Sequence, residues 1–310
     1  MIRTRLYTIG SDILTYEHAP LSVDGVSPLK KVAAIHDISC FGRCALTVII
    51  PTLSAMGNQV VPVPTCLLSS HTGGFTDLYF EDLSHSIDNI SNHFDRLKLR
   101  FDAIYTGFLG SCGQIEQVKA FIKTFREDGT LVLVDPVMGD GGQLYSTYTP
   151  ELVAGISELC RYADVITPNL TEACLLTGTP YVDTSLMNDG EFDSFCRSTC
   201  EKLSEFGAQQ TVITGLHRGE DKLCVCGRNN VSGEYFCYEF PRVNKNYPGT
   251  GDLFACVLLG AILDGEDIEK AAHRASDFVR RVMEYSAKFN TPEREGVAFE
   301  AFLGELAKEN

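Results

Sequence analysis

Two rhythms of apolar and polar positions alternate along the chain from about residue 31 onward. Short, nearly continuous apolar runs at 31–36, 58–65, 103–106, 131–134, 165–167 and 211–214 predict strands buried on both faces. Between them, stretches with apolar residues three and four apart predict helices at about 44–56, 82–97, 115–126, 150–160, 170–177 and 191–205. Pro51 falls inside the first of these and predicts a kink. The runs 222–228 and 235–240 read as an antiparallel ribbon, and helical patterns follow at 253–263, 268–289 and about 297–307. Strands alternating with helices predict the α/β class: a mostly parallel central sheet covered on both faces, a three-layer αβα sandwich with an antiparallel edge. Residues 29–310 read as one domain, and 1–28, mixed in Ser, Asp, Gly and Pro, as a loosely ordered extension outside it.

Composition narrows the partners. The net charge of −15 speaks against a nucleic-acid partner, because a duplex binder needs a basic stripe to displace counterions. No run approaches the roughly 18 apolar residues of a membrane span, and no apolar block follows a basic start as in a secretory signal. The twelve cysteines are irregularly spaced without a single C-x-x-C pair, which argues against a zinc site and for reduced thiols in the cytoplasm. Cys112, just after a predicted strand end, is kept open as a reactive thiol.

Ligands of open α/β sheets bind beyond the carboxyl ends of the strands, so the loops there carry the candidate chemistry. In Tyr247-Pro248-Gly249-Thr250-Gly251-Asp252-Leu253-Phe254, a Gly-rich turn enters an apolar helix whose first-turn N–H groups form an anion cradle. Asp252 stands at its mouth, either as a base beside the anion or as a plain helix cap. Asp135 and Asp140, in Asp135-Pro136-Val137-Met138-Gly139-Asp140, offer oxygens to a hard cation, or only a turn. In Thr167-Pro168-Asn169-Leu170-Thr171-Glu172, Asn169 can reach a phosphate, or Glu172 can complete a cap. The loop from His36 to Arg43, with Asp37 and Ser39, and the loop Ser69-Ser70-His71-Thr72-Gly73-Gly74 offer polar groups to a small hydroxylated ring. Arg43 either counters phosphate charge or solvates a helix start, and Phe108 either stacks on an aromatic substrate or packs its own loop.

Taken in order, these motifs resemble the pyridoxal (vitamin B6) kinases of the ribokinase-like superfamily, over nearly all of 31–287. The resemblance implies ATP-dependent phosphorylation of a vitamer's 5′-hydroxymethyl group, with Asp252 as base and the Gly249, Thr250 and Gly251 amides as anion hole. It places Asp135, Asp140 and Glu172 around Mg²⁺, largely through water. Thr167, Asn169, Thr214 and Thr250 fall at ATP or a monovalent cation such as K⁺, and Thr72 at the pyridine. A homodimer is the usual family assembly. Where these kinases commonly carry Gln-Ser-His, this chain has His36-Asp37-Ile38, so a carboxylate replaces a ring-contacting serine and favours an aminomethyl substituent. A hydroxymethylpyrimidine kinase of thiamine synthesis and a non-catalytic vitamer-binding or regulatory protein are the alternatives. The four acids Asp135, Asp140, Glu172 and Asp252, which a non-catalytic protein would be free to lose, argue against the second.

Overall fold

The computed structural model describes residues 29–307 in full and, before them, the backbone of two short strands. These strands, β1 (Leu6–Ile9) and β2 (Asp12–Thr15), pair antiparallel with each other. The loosely ordered extension expected over 1–28 otherwise lies outside the described residues.

The body is built on a nine-stranded sheet. In chain order its strands are β3 (Lys30–Ser39), β4 (Asn58–Leu68), β5 (Phe80–Asp82), β6 (Ala103–Thr106) and β7 (Leu131–Val134). After a separate small hairpin of β8 (Gly139–Asp140) and β9 (Gln143–Leu144) come β10 (Val165–Ile166), β11 (Gln210–Arg218), β12 (Lys222–Asn229) and β13 (Tyr235–Pro241). The spatial order is β13-β12-β11-β10-β7-β6-β3-β4-β5. The six strands from β11 to β4 run parallel, whereas β12, β13 and β5 are antiparallel.

Side chains alternate across this sheet, and each face has its own core. Ala33, Ile35, Ile104, Val132 and Val134 pack toward α2 (Ser84–Arg96), α3 (Cys112–Phe125), α4 (Pro150–Cys160), α5 (Leu170–Thr177) and α6 (Asp189–Ser204). Val32, Ala34, Ala103 and Leu133 face α1 (Leu46–Ala55), α7 (Thr250–Leu263) and α8 (Ile268–Ser286). Each Val, Leu or Ile side chain among these contributes about 1.5–3 kcal/mol when fully buried, and each Ala methyl less. α7 is apolar on all sides and buried along nearly its whole length, which fixes the position of its N-terminus. No helix among the described residues is long and apolar enough to cross a membrane.

The differences from the predicted elements have local causes. β3 continues to Ser39, so Asp37 and Ser39 lie in a strand rather than a loop; a register shift between His36 and Ile38 accommodates the extension. α3 starts at Cys112 because the Ser111 hydroxyl accepts the Gln114 N–H at 3.2 Å. The expected helix over 297–307 is a 3-10 turn, Phe299–Phe302, followed by the single turn α9 (Leu303–Leu306). Val297, Phe299 and Leu306 are all buried against the α1/α7/α8 core, so the chain follows that surface instead of one helical stripe.

Candidate active site

The carboxyl ends of β3, β6, β7 and β10 and the start of α7 converge at one end of the sheet. Gly249 begins α7 with φ +80, and a Cβ there would stand 1.8 Å from the Arg43 carbonyl oxygen. Only glycine lets the 43–45 backbone pass so close. Asp252, three residues on and partly buried, makes no bond to its own helix; its Oδ2 accepts the N–H of Ala45 at 2.8 Å. Ala45 holds φ 48 and ψ −136 immediately before α1, a costly backbone for an L residue. One carboxylate thus joins the mouths of two helices. Burial pushes its pKa up to about 7, the Ala45 amide draws it down, and the charge of Asp37 adds to the rise. The Thr250 hydroxyl donates to the Tyr247 carbonyl at 3.0 Å and closes the turn that presents the first α7 amides.

Beside Asp252 lies a second group of acids. Asp135 follows β7 directly and is buried; desolvation, then the charges of Glu172 and Asp252, drive its carboxyl well above the usual range. The Thr167 hydroxyl beside it offsets part of that rise, yet has no well-formed hydrogen bond among the described residues. Glu172, only 3% exposed, is raised to about 8 by burial against the pull of the Asn169, Met138 and Gly139 amides. Its two oxygens accept the N–H groups of Met138 (3.1 Å) and Asn169 (2.8 Å). The Asn169 side chain in turn accepts from Glu172 N–H at 3.0 Å and donates to the Gly139 carbonyl at 2.8 Å. A capping box thereby ties the 138–139 loop to α5, and both ends of the Asn169 amide are occupied. Asp140 is exposed on β8 and accepts from Gly141 N–H at 2.8 Å.

No Lys or Arg forms an ion pair with Asp135, Glu172 or Asp252 among the described residues. Nor does any group of three or more His, Cys, Asp or Glu there stand close enough to grip a metal ion directly. Buried carboxyls without a cation and an orphaned Thr167 hydroxyl fit a hydrated cation held through water better than a dry ligand cage. Thr214 borders the same end: its N–H donates to the Pro168 carbonyl at 3.0 Å, and its strand bridges Asn169.

The N-terminal loops form the other wall. Asp37 is buried and raised to about 6 by desolvation, with the Ser39 hydroxyl donating to its Oδ2 at 2.9 Å. His71 does not present a free ring nitrogen: Nδ1 accepts the Gly73 N–H at 3.1 Å, so Nε2 carries the hydrogen and donates to the Arg294 carbonyl at 2.7 Å. It therefore positions the 71–73 loop. Thr72 is exposed, and Phe108 is half-buried against Tyr148, ring centroids 6.0 Å apart. Arg43 pairs with Glu300 at 2.7 Å.

Sequence reasoning missed three contributors. The Ala45 amide and the 293–296 segment, where Gly296 packs against Arg43, have no motif of their own. Tyr145, exposed at the surface of the site, is raised by desolvation and by the charges of Glu172, Asp140, Asp135 and Asp252, which puts it within electrostatic reach of all four acids. Its one available signal was its position in the loop after Asp135 to Gly142.

A mostly parallel αβα sheet with a Gly-cradled helix mouth and a carboxyl beside buried acids is the architecture of ribokinase-like phosphotransferases acting on an alcohol group. The sequence model of the phosphomethylpyrimidine kinase family matches residues 49–296. A hydroxymethylpyrimidine/phosphomethylpyrimidine kinase of Bacillus subtilis is 32% identical over 243 residues, 75% of this chain and 80% of the relative. Among solved structures, a candidate phosphomethylpyrimidine kinase from Bacteroides thetaiotaomicron, crystallised with pyridoxal, is 39% identical with a TM-score of 0.84, covering 90% of this chain and 96% of that one. A pyridoxal kinase from Lactobacillus plantarum is 31% identical with a TM-score of 0.80 over the same shares. The chain belongs to the phosphomethylpyrimidine kinase family of ribokinase-like kinases and phosphorylates a hydroxymethyl group.

Proposed function

We propose that the chain transfers the γ-phosphoryl group of ATP to the 5′-hydroxymethyl group of a B6 vitamer, with Asp252 as general base. The observation that carries this reading is the Asp252 carboxyl, tethered to Ala45 N–H at 2.8 Å and raised to about 7, so that it takes a proton at neutral pH. The α7 amides beside it receive the transferred group, and the buried acids require positive charge to be ionised together. Asp135, Asp140 and Glu172 would hold Mg²⁺ through water; bound there, the ion neutralises phosphate charge. Thr167 and Thr214 face the nucleotide or a monovalent cation such as K⁺, while Asn169 acts by fastening the 138–139 loop.

Asp37 sets the preference among acceptors. A buried carboxylate with one hydroxyl donor is completed by a cationic aminomethyl group, which favours pyridoxamine. Equal specificity constants for the three vitamers, unchanged in Asp37→Ser, would remove that role. A second reading has support of its own: the family match and the Bacillus subtilis relative, together with an Asp37 that can accept from a ring amino group, suit hydroxymethylpyrimidine.

The test is ADP release with ATP and Mg²⁺ against pyridoxal, pyridoxine, pyridoxamine and hydroxymethylpyrimidine, run in parallel on Asp252→Asn. Turnover of a vitamer is expected, with kcat in the variant lower by about 10²–10⁴-fold. Full activity of Asp252→Asn would refute the base. Turnover of hydroxymethylpyrimidine alone would select the second reading, and thermal stabilisation by a vitamer without any turnover would make the protein a binder.

A further inference from the structure

Five of the twelve cysteines meet at the antiparallel edge, on the sheet face covered by α6. Cys224 and Cys226 lie on β12, Cys237 on β13, and Cys196 and Cys200 one helical turn apart on α6. All are free thiols; four are buried and Cys237 is half-buried. Cys226 and Cys237 stand directly opposite each other in the β12/β13 register.

The phase of that ladder follows from its two ends. Arg242 N–H donates to the Asp221 carbonyl and Asn229 N–H to the Glu234 carbonyl, at 2.8 and 2.9 Å. Stepping by two residues from either end gives the same phase and leaves Cys226 and Cys237 in a non-hydrogen-bonded pair. In such pairs the Cα atoms approach to about 4.5 Å and the side chains come closest. That spacing lies within the roughly 4.4–6.8 Å Cα span of a disulfide, whereas the diagonal from Cys224 to Cys237, at about 7–8 Å, exceeds it.

We propose that Cys226 and Cys237 form a redox couple that closes into a cross-strand disulfide by exchange with a small-molecule disulfide such as oxidised glutathione. Cys237, the more accessible of the two, is the entry point; contacts from the Cys224 and Cys226 thiols hold it below the usual thiol range. Cys226, beside Cys196 and Cys237, is held above that range. The Cys237 thiolate attacks one sulfur of the small disulfide, whose S–S bond breaks and releases one thiolate. Cys226 loses its proton and attacks the Cys237 sulfur of the mixed disulfide, and the second thiolate leaves. Two protein thiols are oxidised by two electrons, the small disulfide is reduced to two thiols, and the two protons lost by the protein are taken up by those products. The closed bridge staples β13 to β12, which pairs with β11, the strand carrying Thr214. None of this depends on which alcohol the kinase phosphorylates.

The experiment incubates the full reduced chain with excess oxidised glutathione under native conditions, blocks remaining thiols by alkylation, and maps the digest. Expected are a linked peptide pair joining Cys226 to Cys237, the loss of two hydrogen atoms for that link, slower amide exchange in 222–241, and full reversal by dithiothreitol. Cys226→Ser should trap Cys237 as a stable glutathione adduct, while Cys237→Ser should leave Cys226 reduced under the same exposure. Recovery of both Cys226 and Cys237 as alkylated thiols overturns the proposal, as does a link that runs instead through Cys196, Cys200 or Cys224.

Discussion

Gly249 and Gly251 stand two residues apart in one motif, yet the structure asks different things of them. Gly249 combines φ +80 with a backbone carbonyl in the space a Cβ would fill, so Gly249→Ala must displace the 43–45 segment and with it the Ala45 amide that holds Asp252. We expect Gly249→Ala to lose about 2 kcal/mol or more, read as a fall in melting temperature. Nothing lies within 4 Å of a Cβ at Gly251, which is exposed at the helix mouth. Gly251→Ala should therefore keep its stability to within about 1 kcal/mol. A methyl group there stands between the α7 amides and an approaching phosphoryl group, so kcat should still fall about tenfold or more. A Gly251→Ala enzyme with unchanged kcat would show that no anion approaches these amides during turnover.

The start of α5 shows how one element carries both a structural and a chemical task. Asn169 and Glu172 hold each other and the 138–139 loop, so Asn169→Ala removes a cap worth about 1 kcal/mol and leaves the Gly139 carbonyl without its donor. Glu172→Gln keeps one acceptor oxygen, turns an NH₂ donor toward the other of the Met138 and Asn169 N–H groups, and removes an acid whose pKa burial raises to about 8. The expected pattern is a lower melting temperature for both variants, with a raised Mg²⁺ requirement in Glu172→Gln assays alone. If both variants lose only stability, the acid is a cap and nothing more. Elements of this kind were legible in advance: Pro168, Asn169 and Glu172 announce a helix start, and the buried strands announce themselves by unbroken apolar runs. The extension of β3 to Ser39 was not, because it depends on pairing with β4 rather than on a local pattern. The 293–300 segment was equally hidden, since its contacts to His71 and Arg43 span more than 200 residues of sequence. Asp252 could be found from its motif, but its tether could not, because Ala45 donates through backbone and any residue has an amide.

At the scale of the whole molecule the net charge of −15 is gathered partly into one cluster of acids, and this makes stability depend on pH. Asp37, Asp252 and Glu172 have folded pKa values near 6, 7 and 8, against ordinary values of 3.8, 3.8 and 4.5, and Asp135 is displaced the same way. Over the window from about 4 to about 8 the folded chain therefore holds protons that the unfolded chain has released, and stability falls as pH rises until the highest of these groups has ionised. A cation that binds the ionised cluster of the folded state, and finds no such cluster in the unfolded one, would reverse the loss. Without divalent ions, the melting temperature should be lower at about pH 8 than at about pH 6, and Mg²⁺ should raise it more at the higher pH. Asp135→Asn should flatten both dependences, since it removes the acid coupled to Glu172 and Asp252. A melting temperature independent of pH, or a Mg²⁺ effect of equal size at both values, would show that these carboxyls are not the source of the coupling.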